Sequence, residues 1–356
     1  VLSTKVWKVS TTTLLFIVPP YWGCGCSTKA IGEVFFLLLK YFASSLPAGP
    51  GIKISEIFVS VGGIDYQSQK KITISGSKSI SNRLLILQSI FSNITIKNLS
   101  TCDDTRHMSD ALQSSLNKIN IEHAGTAMRF LTSFFSVKKN SIVEIYGSKR
   151  MHKRPISILV QSLKEIGAKI KYLENSGFPP LRIIGQKLQS KKLKIDSSIS
   201  SQYISSLLLI APKLKNGLEL FLKGNITSLP YIEMTCNLLK KIGVGVDFDG
   251  SKIKVFPKNE IRPVTIDVES DWSSASYYYS IIALAKKGKV VLSTFNNNSL
   301  QGDNIIAKIY DDFGVKTTFL NKKIILEKTS KVKKHIDLDL IKSPDLAQTI
   351  VVSCYG

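Results

Sequence analysis

Apolar residues at helical spacing alternate with short strand-like runs along most of the chain, and one such combination recurs three times. In each copy a helical run ends, a glycine follows where a helix commonly terminates, and an alternating strand pattern begins. The glycines are Gly167, Gly243 and Gly314, which lie several tens of residues apart. A period of that length predicts duplicated βαβ-type units and not a solenoid of short repeats.

The predicted helix starts are also alike, because serine, glutamine or aspartate precedes the apolar positions at residues 200–202, 273–276 and 301–303. Serine and aspartate are good N-caps, so capping alone explains any one of these starts. Taken together with the arginines described below, they favour a cleft into which several helix N-termini point. Such a cleft would select anions, because a helix N-terminus carries a partial positive charge.

Residues 75–83, with the sequence SGSKSISNR, form the most informative local motif. A strand-like run ends at Gly76, and an apolar run with helical spacing follows it. The start of a helix leaves N–H groups unpaired, and Lys78 and Arg83 add full positive charges beside them. The combination is suited to binding phosphate or carboxylate, although it lacks the spacing of a P-loop.

Two further arginines stand beside residues that mark turns. Arg129 lies about one turn into a helix predicted near Gly125, and Arg154 precedes Pro155, which fits the first turn of another helix. Guanidinium groups bind carboxylate and phosphate through paired hydrogen bonds. Near the end of the chain, Asp345 lies at a turn before an apolar helix, where the residues alone favour a helix cap over a general base.

Composition narrows the possible functions only in part. The chain has 356 residues, of which 44% are hydrophobic and 21% charged, and this predicts a folded globular protein with room for two domains. Its formal net charge of +22 is compatible with nucleic acid, acidic membranes or anionic small molecules as partners, or with compositional bias alone. The five cysteines form no C-x-x-C pair, so we expect a reducing compartment with neither disulfides nor a zinc site.

The start of the chain differs from the remainder. It contains two apolar clusters, at residues 14–18 and 34–39, and neither is long enough to span a membrane. We therefore expect residues 1–52 to be a leader that is foreign to the rest, disordered or artefactual, in preference to a targeting segment. We expect no association with a membrane.

At these motifs the chain resembles the EPSP synthases, the 3-phosphoshikimate 1-carboxyvinyltransferases. The resemblance runs from about residue 60 to the last residue, and its motifs occur in the family's order. The matching segments are residues 76–83, 124–129, 150–155, 177–181, 200–203, 228–231, 271–276, 299–303 and 344–345.

The resemblance implies an α/β fold of two domains, the inside-out α/β barrel of the enolpyruvyl transferases, in which each domain holds three repeated βαβαββ units. Mapped onto this chain, residues 53–75 are the first strands of the C-terminal domain, 76–263 the N-terminal domain and 264–356 an incomplete C-terminal domain. Because the family continues for several tens of residues beyond Gly356, we expect the last part of the second domain to be missing. We also expect the chain to be weakly active or inactive alone.

The family transfers the enolpyruvyl group of phosphoenolpyruvate to the 5-hydroxyl of shikimate 3-phosphate, a step of the shikimate pathway toward chorismate and aromatic amino acids. The resemblance implies that Asp345 is the base on that hydroxyl, that Lys78 assists the proton transfer, and that no metal or organic cofactor takes part. The residues implied for phosphoenolpyruvate are Lys78, Arg129, Arg154 and Gln202. Those implied for shikimate 3-phosphate are Ser79, Arg83, Ser200, Ser201, Ser228, Tyr231 and Asp345, and Gly125 is also assigned to the substrate-binding set.

We also expect a cytoplasmic enzyme that acts as a monomer on these two small molecules, without nucleic acid. The chain departs from the family at His123, where asparagine is common, and at Phe130, where proline is common. Phe130 lies beside Arg129, so this departure bears on the affinity for phosphoenolpyruvate. A hairpin common in the family also has no counterpart between Leu116 and Ala124.

Two other functions remain open at this point. UDP-N-acetylglucosamine enolpyruvyl transferase has the same fold and repeats, but it carries a reactive cysteine in the loop before an Arg-Pro pair, and residues 147–155 contain none. A basic nucleic-acid-binding protein would need a basic stripe with interleaved aromatic residues. The lysine-rich runs at 187–194 and 331–334 lack such residues.

Overall fold

The structure is a computed structural model that describes residues 71–354 apart from 190, 197–199, 225 and 227. It also describes two short strands near the start of the chain, Lys5–Val9 (β1) and Thr12–Phe16 (β2), which pair as an antiparallel hairpin. Apart from this hairpin, the predicted leader at 1–52 lies outside the described residues. So does most of the segment 53–75.

Helices and strands alternate from residue 71 onward. The strands are β3 (Lys71–Thr73), β4 (Ile94–Lys97), β5 (Lys118–Asn120), β6 (Ile142–Tyr146), β7 (Lys169–Tyr172), β8 (Leu181–Ile184), β9 (Lys192–Asp196), β10 (Leu218–Lys223), β11 (Val246–Phe248), β12 (Lys252–Val255), β13 (Val264–Asp267), β14 (Lys289–Ser293), β15 (Val315–Leu320) and β16 (Lys323–Lys328). The α-helices are α1 (Lys78–Ile90), α2 (Asp103–Gln113), α3 (Gly125–Val137), α4 (Ser157–Glu165), α5 (Ser201–Ile210), α6 (Leu229–Lys241), α7 (Trp272–Leu284), α8 (Ile306–Ile309) and α9 (Ala347–Ser353). Short 3-10 helices lie at Met151–Lys153, Ala211–Lys213, Gly302–Ile305 and Pro344–Leu346.

Two four-stranded sheets are built from consecutive parts of the chain and have the same strand order. One runs β5-β6-β8-β7 and the other β9-β10-β12-β11. In each sheet the first two strands are parallel and joined through a helix. The last two strands form an antiparallel pair that folds back onto the second strand. Each sheet with its helices is therefore a βαβαββ unit, in agreement with the repeat seen in the sequence.

A third four-stranded sheet has the same order but takes its first strand from a distant part of the chain. Strands β14, β16 and β15 occupy the last three places, and β3 lies parallel to β14 in the first place. Strand β13, which comes just before α7 and β14 in the chain, pairs instead with β4. The chain therefore passes twice between two bodies, once between β3 and α1 and once between β13 and α7.

The three repeated glycines have the backbone conformation that their pattern predicts. Gly167, Gly243 and Gly314 have φ angles of 99°, 84° and 74°. Each is followed by the first strand of an antiparallel pair, β7, β11 or β15. A side chain at such a φ is strained, so these positions favour glycine.

Buried apolar residues form two cores. The first extends from Ile80 to Val268, and the second contains Ile74 together with residues from Trp272 to Ile350. We call the residues around these cores the first lobe and the second lobe. Because Ile266 and Val268 belong to the first core, the second passage follows residue 268. The domain limits at residues 76 and 264 stay a prediction.

The two passages between the lobes lie side by side. Gly76 and Ser270 form an antiparallel bridge, and the N–H of Ser77 donates to the carbonyl of Glu269 at 2.8 Å. The packing is so close that a Cβ atom placed on Gly76 would lie 1.9 Å from the carbonyl oxygen of Asn98. This approach, and not a special φ angle, is what requires glycine in the first passage.

None of the described helices has the length and apolar character needed to cross a bilayer. Cys102, Cys236 and Cys354 carry free thiols. Cys24 and Cys26 lie outside the described residues.

Replacing Gly76 with alanine should destabilise the protein by about 2 kcal/mol or more, because the new methyl group would overlap the Asn98 carbonyl. Urea unfolding followed by tryptophan fluorescence measures the loss. The control is Gly288→Ala, whose Cβ would meet the flexible end of Ile282 at 3.1 Å, and it should cost less than about 1 kcal/mol. Equal losses in the two variants would contradict the packing described for the passage.

Candidate active site

Lys78 is the first residue of α1 and directly follows the first passage. Ser77 makes no side-chain cap, and Asp271 from the second passage takes this role, since its Oδ2 accepts from the backbone N–H of Lys78 at 3.1 Å. Its Oδ1 accepts from the N–H of Ser274 at 2.8 Å and so caps α7. One carboxylate therefore serves the N-termini of two helices, one in each lobe.

Lys78 is an exposed residue, and acidic groups from both lobes act on its charge. Removal of water by the surrounding protein lowers its pKa, but the attraction of Asp104, Cys102, Asp271 and Asp345 outweighs this effect, and the net pKa is raised. Lys78 therefore carries a firm positive charge at neutral pH. Its charge is shared among several carboxylates, as is useful for a group that must later face an anionic ligand.

The guanidinium of Arg83 lies inside the first lobe, where the residue is only 2% exposed. Its Nε donates to Thr235 Oγ1 at 2.7 Å, and Nη1 donates to the carbonyl of Ser79 at 2.8 Å. Nη2 donates to Ser205 Oγ at 3.0 Å and to the carbonyl of Tyr231 at 3.2 Å. These partners are neutral, and burial lowers the pKa of Arg83 to about 10.

Arg83 therefore joins α1, α5 and α6, a role that the sequence did not indicate. The guanidinium also lies 5.4 Å from the centre of the Phe130 ring on α3. Its contact with shikimate 3-phosphate stays a prediction.

Arg129 and Arg154 meet at the N-terminus of α3. Arg129 is buried, and its Nη1 donates to the carbonyl of Gly125 at 2.7 Å, while its Nε has no hydrogen-bond partner. The guanidinium of Arg154 lies against Gly125 so closely that a Cβ there would be 2.0 Å from Nη1. Burial, and then the repulsion of Arg154, lower the pKa of Arg129. Two like charges beside an open helix start form a place that an anion would stabilise.

The start of α5 adjoins this arginine pair. Ser200 caps the helix, and its hydroxyl accepts from the N–H of Gln202 at 3.3 Å, while Ser201 is buried in the first turn. The hydroxyl of Tyr203 donates to the carbonyl of Pro155 at 2.7 Å, and its ring lies 5.7 Å from the Arg129 guanidinium. The predicted helix start is thus confirmed, and it lies next to the loop that carries Arg154.

A hydrogen bond joins the two lobes across the cleft. The hydroxyl of Tyr231, near the start of α6, donates to Oδ2 of Asp345 at 2.6 Å. Burial and the nearby carboxylates raise the pKa of this phenol, so it stays protonated as the donor. Asp345 stands in the first turn of the 3-10 helix Pro344–Leu346, before α9, while its carboxylate bonds to Tyr231. Ser228, the residue before α6, has a left-handed backbone and also makes no side-chain cap bond.

Asp303, which the sequence analysis treated only as part of a helix start, proves to be a buried carboxyl group of the site. It is 5% exposed and accepts a hydrogen bond from the hydroxyl of Ser273 at 2.5 Å. Burial raises its pKa to about 7, against the hydrogen bond from Ser273 and with help from the charges of Asp345 and Asp271. A buried carboxyl group that titrates near neutral pH thus lies beside the Tyr231–Asp345 bond.

The electrostatic contacts link these groups into one site. Asp104, in the first turn of α2, attracts both Lys78 and Arg129. Asp345 in turn acts on Lys78 and is bonded to Tyr231, whose carbonyl accepts from Arg83. These contacts bring Lys78, Arg83, Arg129, Tyr231 and Asp345 together from both lobes, and they do not include the side chains of Ser79, Gln202 and Ser228.

In the part of the chain that the structure describes, no group of three or more His, Cys, Asp or Glu side chains is arranged to hold a metal ion. The absence of a metal or organic cofactor from the reaction stays a prediction.

Comparison with known proteins finds matches over most of this chain. The family model described as EPSP synthase (3-phosphoshikimate 1-carboxyvinyltransferase) matches residues 65–120 and 113–355. The 3-phosphoshikimate 1-carboxyvinyltransferase of Bacteroides fragilis strain YCH46 is 43% identical over 290 residues, which cover 81% of this chain and 70% of the relative. That of Actinobacillus pleuropneumoniae serotype 5b is 36% identical over 314 residues, covering 80% of this chain and 72% of the relative.

A solved structure supports the fold. The EPSP synthase from Acinetobacter baumannii superimposes with a TM-score of 0.63 at 19% sequence identity, and the match covers 80% of this chain and 71% of that protein. At this level of identity the likeness concerns the fold alone.

Replacing Asp303 with asparagine should stabilise the protein increasingly as the pH rises. With a pKa of about 7 the folded state binds this proton more tightly than the unfolded chain, whose pKa is 3.8. The stability that Asp303 contributes is therefore complete below about pH 4 and is lost as the pH rises through about 7. Asp303→Asn should gain about 1–3 kcal/mol on the parent between pH 5 and pH 8, measured by urea unfolding.

Asp311→Asn is the matched control, because Asp311 is an exposed carboxylate in the same lobe. Its unfolding free energy should follow that of the parent at both pH values. If the unfolding free energy of Asp303→Asn also stays parallel to that of the parent between pH 5 and pH 8, Asp303 does not hold a proton in the folded state.

Proposed function

The chain belongs to the EPSP synthase family, the 3-phosphoshikimate 1-carboxyvinyltransferases, and from this premise we propose that its cleft carries out the family's reaction with the residues described above. In that reaction the 5-hydroxyl oxygen of shikimate 3-phosphate forms a bond to C2 of phosphoenolpyruvate. The bond from C2 to the phosphate oxygen breaks, and the hydroxyl proton is lost. The products are 5-enolpyruvylshikimate 3-phosphate and phosphate.

The observation that carries the proposal is the pair of guanidinium groups at the start of α3. Arg129 is buried beside Arg154, its Nε lacks a partner, and the repulsion between the two cations is unfavourable until an anion lies between them. Phosphoenolpyruvate has a phosphate and a carboxylate, which are the two groups that guanidinium forks bind best. Lys78 and Gln202 complete the donor side of the site, with Gly125 leaving room for Arg154.

The acceptor side is assigned to the first turns of α5 and α6. The hydroxyls of Ser200, Ser201 and Ser228 and the phenol of Tyr231 offer the donors that a sugar phosphate needs, and Ser79 extends this surface at α1. Arg83, the remaining predicted contact, lies beneath it and donates to the carbonyl of Tyr231 at 3.2 Å. Through that bond it fixes the position of Tyr231 whether or not it also reaches the ligand.

Asp345 is the group assigned to accept the proton of the acceptor hydroxyl. Its Oδ2 is already paired with the hydroxyl of Tyr231 at 2.6 Å, so it is placed to accept from another hydroxyl in the same position. Lys78 lies near enough for its charge to act on this carboxylate. The lysine would neutralise the charge that develops as the phosphate leaves.

We also propose that the enzyme acts as a monomer in the cytoplasm, on these two small molecules and without cofactor or nucleic acid. The free thiols of Cys102, Cys236 and Cys354 suit a reducing compartment. The charges that the reaction needs are supplied by the chain's own arginine, lysine and aspartate side chains.

Shikimate 3-phosphate should bind the chain and raise its melting temperature saturably, and phosphoenolpyruvate should add to this effect. In Arg129→Gln the affinity for shikimate 3-phosphate should stay near that of the parent, whereas the affinity for phosphoenolpyruvate should fall by about 30-fold or more, since charge-assisted hydrogen bonds are lost. Titration calorimetry with each ligand measures both values.

The control is Arg182→Gln, which removes a surface arginine whose side chain is 50% exposed and lies 4.0 Å from Glu144. It should bind both ligands as the parent does. Failure of the parent to bind shikimate 3-phosphate, with no enolpyruvyl product from a version of the chain extended to the length of its relatives, would show that the proposed function is wrong.

A further inference from the structure

Glu269 is a buried carboxylate in the second passage, and four donors converge on its two oxygens. Oε1 accepts from the indole N–H of Trp272 at 3.0 Å and from the backbone N–H of Asn296 at 2.8 Å. Oε2 accepts from the amide of Gln301 at 3.1 Å and from the hydroxyl of Ser299. The residue is only 5% exposed.

Only a carboxylate fits this arrangement. An ionised carboxylate offers about four lone pairs and no donor, whereas a glutamine amide would direct its NH₂ group at two of the four donors. Gln301 cannot turn its amide to compensate, because Nε2 also donates to the carbonyl of Ser270 at 2.8 Å and Oε1 accepts from the N–H of Trp272 at 3.1 Å. The hydrogen bonds therefore require a charge at this buried position.

All four donors come from the chain after the second passage, one from α7 and three from the loop after β14, whereas the backbone of Glu269 is tied to α1. The carbonyl of Glu269 accepts from the N–H of Ser77 at 2.8 Å. Two residues further on, Asp271 Oδ2 accepts from the N–H of Lys78 at 3.1 Å. The carboxylate of Glu269 thus fixes the strand on which the start of α1 rests.

We propose that Glu269 is a positioning residue for Lys78, whose ammonium group it places by holding the second passage and the first turn of α7 in one arrangement. In the proposed function Glu269 touches neither substrate. This inference rests on the proposed function only for the role that it gives to Lys78. When the passage is held, Asp271 caps α1 and its charge acts on the Lys78 ammonium. When the second passage is released, the carboxylate of Asp271 no longer lies against the start of α1.

Glu269→Gln tests the proposal on the chain itself through the reactivity of Lys78. The folded protein is treated with a limiting amount of an amine-acylating reagent at pH 8, and the modification of Lys78 is measured by peptide mass spectrometry. Because the nearby carboxylates raise the pKa of Lys78, the parent should react slowly there. In Glu269→Gln the attraction of Asp271 is weakened, so more of the amine is neutral and Lys78 should react at least about three times faster.

The affinity for each ligand gives a second readout, which a loss of stability alone would not change. In Glu269→Gln the affinity for phosphoenolpyruvate should fall by about 10-fold or more, whereas that for shikimate 3-phosphate should stay within about 3-fold. The latter ligand is assigned mainly to the first lobe. Leu326→Ala is the control, since this fully buried leucine of the second core is remote from the passages. It should lower the melting temperature and leave both readouts unchanged.

Unchanged Lys78 reactivity and phosphoenolpyruvate affinity in folded Glu269→Gln would overturn the proposal. If that variant does not fold, Ser299→Ala decides the matter, because it removes one of the four donors and leaves the charge in place. Ser299→Ala should also raise the acylation rate of Lys78, by a smaller factor than Glu269→Gln. An unchanged acylation rate would again overturn the proposal. A parent that binds neither substrate would refute the proposed function, while the acylation rates would still test the role of Glu269.

Discussion

The two passages between the lobes are hydrogen-bonded to each other, and the site depends on this arrangement. A single linker would let the lobes rotate freely, whereas two adjacent passages permit motion only about a common axis. Because Asp271 caps both α1 and α7, the first residue of α1 moves together with the second lobe. Lys78 is that first residue, so the lysine that the proposed chemistry needs lies directly beside the two passages.

The buried arginines show two ways of placing a cation in an apolar environment. Arg83 is surrounded by neutral acceptors that take its hydrogen bonds, which offsets the cost of removing it from water and makes it part of the first core. Arg129 has fewer partners, retains an unpaired Nε and has Arg154 beside it. The first arrangement is complete without a ligand, and the second is not, so anion binding is better assigned to Arg129 and Arg154 than to Arg83.

Much of the fold follows from local sequence signals. The positive φ angles at Gly167, Gly243 and Gly314 follow from the helix–glycine–strand pattern, and the repeated strand order follows from the duplication that this pattern revealed. The start of α1 at Lys78 was likewise visible in the sequence as a change from strand to helical spacing.

The roles of Glu269 and Asp303 were not visible in the same way, because they depend on contacts between residues that are distant in the chain. The exchange of β3 and β13 between sheets brings residues 74–77 next to 268–271, and no periodicity of the sequence encodes such a pairing. Burial of a carboxylate is equally hidden, because an aspartate after a glycine resembles an ordinary helix cap until the surrounding chain covers it. The same reason explains why the residues alone did not reveal that the carboxylate of Asp345 bonds to Tyr231.

The bond between Tyr231 and Asp345 has a consequence for how the acceptor would bind in the proposed function. A hydroxyl of the acceptor that donates to Asp345 must replace the phenol of Tyr231, which is itself assigned to the ligand. The carboxylate then exchanges one hydroxyl donor for another, so the number of its hydrogen bonds is conserved and the exchange is close to neutral in free energy. In the proposed function, binding of the acceptor would therefore release Tyr231 and prepare Asp345 in a single event.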